Sequence, residues 1–299
     1  MNKRFKRVAV LMGGPSSERG VSLRSGAAVA KGLREAGYEV IEVDVKGQDF
    51  DVPEGVEAAF VALHGEFGED GQIQKILDAK RIPYTGSGPE ASRRSFDKIL
   101  SKKLFVENGI PTPEYEILRK GQKRSLSLPV VIKPACQGSS IGVHRVILES
   151  EWEKALADSF SYGDEIVVES YIKGRELTVG IVDGEVLPVV EIVAPDDWYG
   201  FDAKYTKGSS KYLVPAPLDL ETCKRCREIA LKTFQALGCR GMGRIDFRFA
   251  EDGRLYVLEL NNIPGFTETS LLPKAAAEAG ISFSNLCDRI INTAHNDDA

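Results

Sequence analysis

The chain has 299 residues, 42% of them hydrophobic and 28% charged, and a net charge of −5; at about 150 residues per domain this allows two or more domains with a sizeable core. The acidic balance leaves no basic field to hold nucleic acid or an anionic membrane surface. The basic start MNKRFKR leads into an apolar run too short for a signal peptide, and no stretch approaches the ~18 apolar residues of a membrane span, so a cytoplasmic protein is expected.

In chain order, VAVLM reads as a short buried strand, followed by the turn GGPSSERG and a helix to about Ala36. EVIEVDV and AAFVALHG read as the next strands, GQIQKILDAKR as a short amphipathic helix, and IPYTGSG closes the unit. Strands separated by helices imply a parallel, doubly wound sheet. A long polar helix is expected over residues 90–108, ending at Gly109 and the Ile110-Pro-Thr-Pro breaker. PVVIKPA and IGVHRVI flank a Gly/Ser loop as an antiparallel pair, with a helix over 152–160 and the strand EIVVESYI after it. Asp183-Gly184 and Asp252-Gly253 each lie between β-rich runs and signal hairpins. A helix is expected over 221–237, and helical structure from Ser270 to the end.

The five cysteines are an odd and sparse set for a disulfide framework. Cys223 and Cys226 form a C-x-x-C on the apolar face of a helical pattern, beside Ala230, Phe234 and Leu237, and no second pair completes a tetrahedral metal site. They are expected to be buried core thiols.

The second hairpin carries the chemistry. With Asp252 and Gly253 as the two central residues of a type I′ turn, Glu251 faces Arg254, Phe249 meets Tyr256, Phe247 meets Leu258 and Ile245 meets Leu260. On the other face Asp246 opposes Glu259, and Arg244 opposes Asn261. Opposed like charges repel, and a divalent cation would remove that cost. Two carboxylates and an amide oxygen suit Mg²⁺, with phosphate oxygens supplying the remaining ligands, and Glu259 is placed to bridge two metals. The alternative is a solvated polar face on which Arg244 and Arg248 neutralise the acids.

GRIDFRF…LYVLELNNIPGFTETS resembles the C-terminal signature of D-alanine–D-alanine ligases in the ATP-grasp superfamily. LMGGPSSERGVSLRSG, ALHGEFGEDG, PYTGSG, FDKILSK, VIKPACQGSSIGV and FDAKYTKGS agree in the same order, so the resemblance covers nearly the whole chain. It implies an α/β (α+β overall) three-domain ATP-grasp fold, with an N-terminal substrate-binding domain at 1–95, a central domain at 96–172 and a C-terminal catalytic domain at 173–299. It implies ATP and two Mg²⁺ (or Mn²⁺) as cofactors, D-alanine as substrate and a homodimer. ATP would phosphorylate the carboxylate of one D-alanine, and the amine of a second would attack the acyl phosphate.

The resemblance also distributes roles. Lys133 lies in an apolar strand, where an unpaired ammonium is expensive; it and Lys98 would contact ATP phosphates. Ser139 and Ser140, between Gly138 and Gly142, belong to a loop covering the triphosphate, where many family members carry a basic or acidic residue in place of Cys136-Gln137. Glu169, Ser170, Tyr171 and Ile172 would read adenine, and Glu176 the ribose. Glu18 would take the ammonium of the first D-alanine, although a carboxylate at a helix N-terminus also suits plain capping. Glu18, Ser139 and Tyr205 would form a hydrogen-bonded triad. His64 stands at a strand end, where α/β sheets place ligand-binding residues, and joins Leu271 in the substrate-binding set. Lys204 and Ser270 would hold the second substrate's carboxylate, while Arg244 and the Gly265 N–H stabilise the tetrahedral oxyanion. Asp246, Glu259 and Asn261 remain the metal ligands. A D-alanine–D-lactate ligase is the near alternative, disfavoured by Tyr205, and another ATP-grasp carboxylate–amine ligase the next. A dinucleotide-dependent oxidoreductase lacks its G-x-G-x-x-G fingerprint here.

Overall fold

The computed structural model describes residues 3–195 and 210–297. Among them the strands form three sheets. The first is parallel, in the order β2-β1-β3, from Arg7–Gly13 (β1), Glu39–Val45 (β2) and Ala58–Val61 (β3). Tyr84 extends it by a single parallel bridge to Ala59. The helix Arg19–Glu35 (α1) connects β1 to β2, as the parallel pairing of consecutive strands demands, and the short helix Gln72–Ala79 (α2) follows β3. The core joins Val8, Val10, Leu11 and Phe60 with Leu33 of α1 and with Leu286, Ile290 and Ile291 of the last helix. The end of the chain is therefore built into the sheet that its beginning forms.

The second sheet is antiparallel, β4-β7-β5-β6, from Tyr115–Arg119 (β4), Val130–Pro134 (β5), His144–Val146 (β6) and Glu165–Ser170 (β7). The glycine–serine loop does link an antiparallel pair, β5 and β6. The strand β4 carried no distinct signal in the sequence. Glu149–Ser159 (α5) lays Trp152 and Ala155 over Ile132, Val146, Ile166 and Val168 of this sheet.

The third sheet follows the order β11-β10-β8-β12-β13, with β9 on β8. Its strands are Gly174–Val182 (β8), Glu185–Val186 (β9), Val190–Val193 (β10), Lys211–Leu213 (β11), Met242–Ala250 (β12) and Leu255–Asn261 (β13). Asp183 and Gly184 both have positive φ, +50° and +76°, so the first expected hairpin turns through a type I′ turn. The helix Leu220–Ala236 buries Ala230 and Phe234 against the sheet. Cys226 is in that core as expected, whereas Cys223 is only half-buried, because the apolar stripe is narrower than the C-x-x-C spacing.

Three further expectations are corrected. The polar helix over 90–108 is two helices, Pro89–Phe96 (α3) and Lys98–Glu107 (α4), split at Asp97. Asp97 is extended, and its carboxylate accepts from the N–H groups of Ile99 (2.9 Å) and Leu100 (3.2 Å), so it caps a new helix instead of continuing the old one. The backbone N–H of Lys98 is thereby turned onto Ala135 O at 2.9 Å. The segment from Ser270 is likewise two helices, Leu271–Glu278 and Phe283–Asn292, broken after Gly280 by a Ser282 cap.

The third correction concerns the second hairpin. Its turn has three residues, Glu251, Asp252 and Gly253, closed by Gly253 N–H to Ala250 O at 2.9 Å and Ala250 N–H to Arg254 O at 2.8 Å. Gly253 holds the left-handed position that such a loop requires, with φ +81°. Phe249 therefore pairs with Leu255, and Phe247 with Val257, one residue off the expected register. The shift between Asp246 and Phe247 takes up one extra residue on β13, so Asp246↔Glu259 and Arg244↔Asn261 pair as expected. Asp97→Ala should lower stability by about 1 kcal/mol, while Asp97→Ser should keep most of it; urea unfolding midpoints decide, and equal midpoints for wild type and Asp97→Ala would remove the capping assignment.

Candidate active site

Two lobes of one cleft lie against the hairpin. The first is lined by Lys133 of β5, Ser140 of the loop, Glu169 and Ser170 of β7, Tyr171 and Ile172 after it, and Glu176 of β8. Asp246 and Glu259 close it. The second is lined by Glu18, His64, Ser139, Arg244, Asn261, Gly265, Ser270 and Leu271. Lys98 and Glu259 line both lobes, with Lys98 Nζ 3.9 Å from Glu259 Oε2. Every proposed site residue within the described range lies in one lobe or the other. Lys204 and Tyr205 lie outside the described residues.

The hairpin end is electrostatically dense. Arg244 and Asp246, two apart on β12, share a face, and the guanidinium donates to both carboxylate oxygens at 2.9 and 2.8 Å. Thr178 Oγ1 of the neighbouring β8 donates to Asp246 as well, at 2.5 Å. Half of the alternative reading thus holds, since Arg244 does neutralise Asp246. Arg248 instead donates to Glu176 at 3.2 Å and to the Ile172 carbonyl at 3.1 Å. Asn261 Oδ1 accepts from the Ile263 N–H at 3.1 Å. Among the described residues no three His, Cys, Asp or Glu side chains gather as a metal cluster. Two carboxylates and an amide oxygen on adjacent strands are nonetheless the hard-oxygen donor set of a cation that shares its remaining ligands with phosphate, and that donor set fits Mg²⁺ or Mn²⁺.

The glycine–serine loop carries two non-glycine residues in the left-handed region, Ser139 (φ +51°) and Ser140 (φ +60°). Such strain gathers at ligand sites. Ser139 Oγ donates to Glu18 Oε1, joining the loop to the start of α1. Glu18 occupies the N-cap position, but its side chain makes no capping hydrogen bond, so plain capping does not explain it. Lys98 Nζ donates to the Gln137 carbonyl at 2.6 Å. The loop is held there through its backbone, which makes the departure at Cys136-Gln137 tolerable.

His64 is 4% exposed. Its Nδ1 lies 3.1 Å from the Ile263 carbonyl, and its Nε2 lies 3.0 Å from Ser25 Oγ. Ser25 Oγ in turn accepts from the Phe266 N–H at 3.2 Å. His64 therefore ties the end of β3 to the loop that leads to Gly265. Ser270 Oγ accepts from the Thr267 N–H at 3.0 Å within the same loop.

Beneath the first lobe Glu169 is 1% exposed and lies between two lysines: Lys133 Nζ is 2.9 Å from Oε2 and Lys102 Nζ 3.0 Å from Oε1. Burial pushes the Glu169 carboxyl upward, but the ammonium groups of Lys102 and Lys133 outweigh it and hold it below the usual range. The sequence reading missed Lys102, since a lysine on a polar helix reads as exposed. It also missed Arg248 as a wall of the first lobe, and Leu258, which it placed in the core.

A parallel sheet unit joined to two antiparallel sheets that close on a lysine- and carboxylate-lined cleft is the ATP-grasp fold. Residues 104–292 match the family described as D-ala D-ala ligase C-terminus, and residues 46–87 match D-ala D-ala ligase N-terminus. The D-alanine–D-alanine ligase of Methylacidiphilum infernorum is 45% identical over 97% of this chain and 96% of its own. The crystal structure of the Bacillus anthracis D-alanine–D-alanine ligase complexed with ATP superposes with a TM-score of 0.83 at 34% identity, covering 96% of this chain and 97% of that one. The VanG D-Ala:D-Ser ligase of Enterococcus faecalis gives 0.85 at 29%, covering 97% and 99%. The chain belongs to the D-alanine–D-alanine ligase family.

Glu169→Ala should cost about 3–5 kcal/mol at neutral pH, because two buried ammonium groups lose their anion. The Glu169 carboxyl is lowered on folding, so its contribution is in place above its ordinary 4.5 and fades as pH falls through its lower folded value. The gap between wild type and Glu169→Ala in urea unfolding should therefore narrow on acidification; a gap independent of pH would contradict the assignment.

Proposed function

We propose that this chain joins two molecules of D-alanine into D-alanyl-D-alanine at the expense of ATP, through an acyl phosphate, for peptidoglycan precursor synthesis. The observation that carries this reading is the two-lobed cleft meeting at Lys98 and Glu259, in a chain of this family. One lobe offers cations and an apolar wall to a nucleotide, and the other offers carboxylate, guanidinium and N–H groups to an amino acid. The point where they meet is where a γ-phosphoryl group and a carboxylate would face each other.

In this reading Lys98 and Lys133 hold the phosphates under the Ser139–Ser140 loop, and the segment from Glu169 to Ile172 receives the base. Glu176, ion-paired with Arg248, accepts from the ribose hydroxyls. Glu18 accepts from the ammonium of the first D-alanine and so fixes that substrate's carboxylate toward Glu259. Arg244 and the Gly265 N–H meet the negative charge that develops as the second amine attacks. Asp246, Glu259 and Asn261 would hold Mg²⁺ or Mn²⁺, which when bound neutralises charge on the transferring phosphoryl group. Lys204, Ser270 and Leu271 receive the second substrate, with Tyr205 completing the Glu18–Ser139 triad. The same reading includes a homodimer in the cytoplasm and the division into domains at 1–95, 96–172 and 173–299. Among the described residues no helix is long and apolar enough to cross a membrane.

The likeness to a D-Ala:D-Ser ligase gives one specific reason to test the second substrate. Incubation with ATP, Mg²⁺ and D-alanine, with D-serine or D-lactate in competition, should give D-alanyl-D-alanine as the main product by mass spectrometry; a dominant mixed product would replace this reading. Glu259→Gln should reduce ligation at least on the order of 100-fold with the fold retained, and near-normal turnover at saturating Mg²⁺ would sink the metal assignment.

A further inference from the structure

The nucleotide reading uses only the outer end of a buried charge cluster. Lys102 leaves α4 beneath the cleft, 1% exposed, and does not line either lobe. Its Nζ lies 3.0 Å from Glu169 Oε1, donates to Thr112 Oγ1 at 2.5 Å and sits 5.8 Å from the centre of the Tyr115 ring. Glu169 Oε2 holds Lys133, whose side chain is 10% exposed at the floor of the cleft. Two cations thus share one anion. The next charges that face the cluster are Glu259 on β13, whose charge is felt at Lys102, and Lys98 at the start of α4.

Counting charge gives Lys102 its purpose. With Lys133 and Glu169 alone, the floor of the nucleotide lobe would present a neutral pair, and a neutral pair attracts phosphate weakly. With Lys102 behind Glu169 the cluster carries one net positive charge, in a medium where charge is poorly screened. We propose that Lys102 is a positioning residue of the nucleotide site: it neutralises Glu169 from behind, so that Lys133 presents an uncancelled positive charge to the phosphates of a bound nucleotide. This rests on the nucleotide reading above. The same lysine anchors the strand that carries Glu259, because Thr112 Oγ1 donates to the Val257 carbonyl at 2.8 Å and the Val257 N–H donates to Pro111 O at 2.8 Å.

The cluster also makes nucleotide affinity depend on pH. Burial draws the Lys102 ammonium down to about 8, against the raising influence of Glu169, while Lys133 lowers it further. As pH rises through that value Lys102 loses its proton and the cluster goes from one net positive charge to none. Affinity for polyphosphate then falls on the alkaline side.

The test is calorimetric binding of a non-hydrolysable ATP analogue with Mg²⁺ and no amino acid, from pH 7 to pH 9.5, where the phosphates no longer titrate. The wild-type chain should lose affinity on the order of ten-fold over this range. Lys102→Met should bind about that much more weakly at pH 7, with no further alkaline loss. Lys102→Met binding as tightly as wild type, or keeping the alkaline fall, overturns the inference. Should Lys102→Met not fold, the wild-type profile decides, and a flat one overturns it. No binding by the wild-type chain at any pH would instead overturn the nucleotide reading itself.

Discussion

Two carboxylates cannot stand opposite each other across a strand pair without cations in reach, and Asp246 and Glu259 do stand so. The fold around the cleft can be read as the answer to that constraint. Arg244 turns back along its own strand to Asp246, and Thr178 reaches it from the next strand. Lys98 approaches Glu259 from another part of the chain, which is possible only because Asp97 ends one helix and starts another. The point that needs positive charge becomes the point where the two lobes meet, and the phosphoryl transfer proposed here belongs at that point.

The other cations of the cleft are held in the same manner. Lys133 rests on Glu169, and Arg248 on Glu176. Burying such pairs costs desolvation that their mutual attraction barely repays, so stability alone is a poor reason for three of them around one cleft. Their benefit is preorganisation: side chains with several rotatable bonds are fixed before a polyanion arrives, and little entropy is left to lose on binding. Tyr171 shows the arrangement at its fullest, with guanidinium carbons of Arg145 and Arg248 5.5 and 5.6 Å from its ring centre. One arginine comes from the central sheet and the other from the six-stranded one, so the linker between those sheets is clasped from both.

Much of this was legible in residue order. Period and turn chemistry located the parallel unit, the β5–β6 pair and both hairpins, because those signals are local. The Asp97 break was not legible, since an aspartate inside a polar run is equally a solvated helix residue or a cap; what decides is the Ala135 carbonyl, brought there by β5. Lys102 and Arg248 were hidden for a related reason. Charge predicts exposure, and only the fold reveals a carboxylate waiting for each. The gathering of Glu18, His64, Arg244 and Ser270 around one lobe came from family resemblance, for those residues lie on four separate segments and no spacing rule joins them.

The hairpin shows how a reading can be right at one end and wrong at the other. Counting from a two-residue turn puts Asp246 opposite Glu259, and so does the real structure, but the real turn has three residues. The two agree only because one extra residue on β13 offsets the turn. Without that extra residue Glu259 would lie on the core face, since a one-residue slip inverts every side chain beyond it. The residue spent on the correction is not idle. The irregularity puts Leu258 on the cleft side next to Glu259, where it walls the nucleotide lobe, while Val257 takes the core position opposite Phe247. A strand with perfect alternation could offer either the carboxylate or the apolar wall to this lobe at neighbouring positions, not both. The bulge gives both, and so joins the metal-binding and base-binding ends of the proposed site within two residues of one strand.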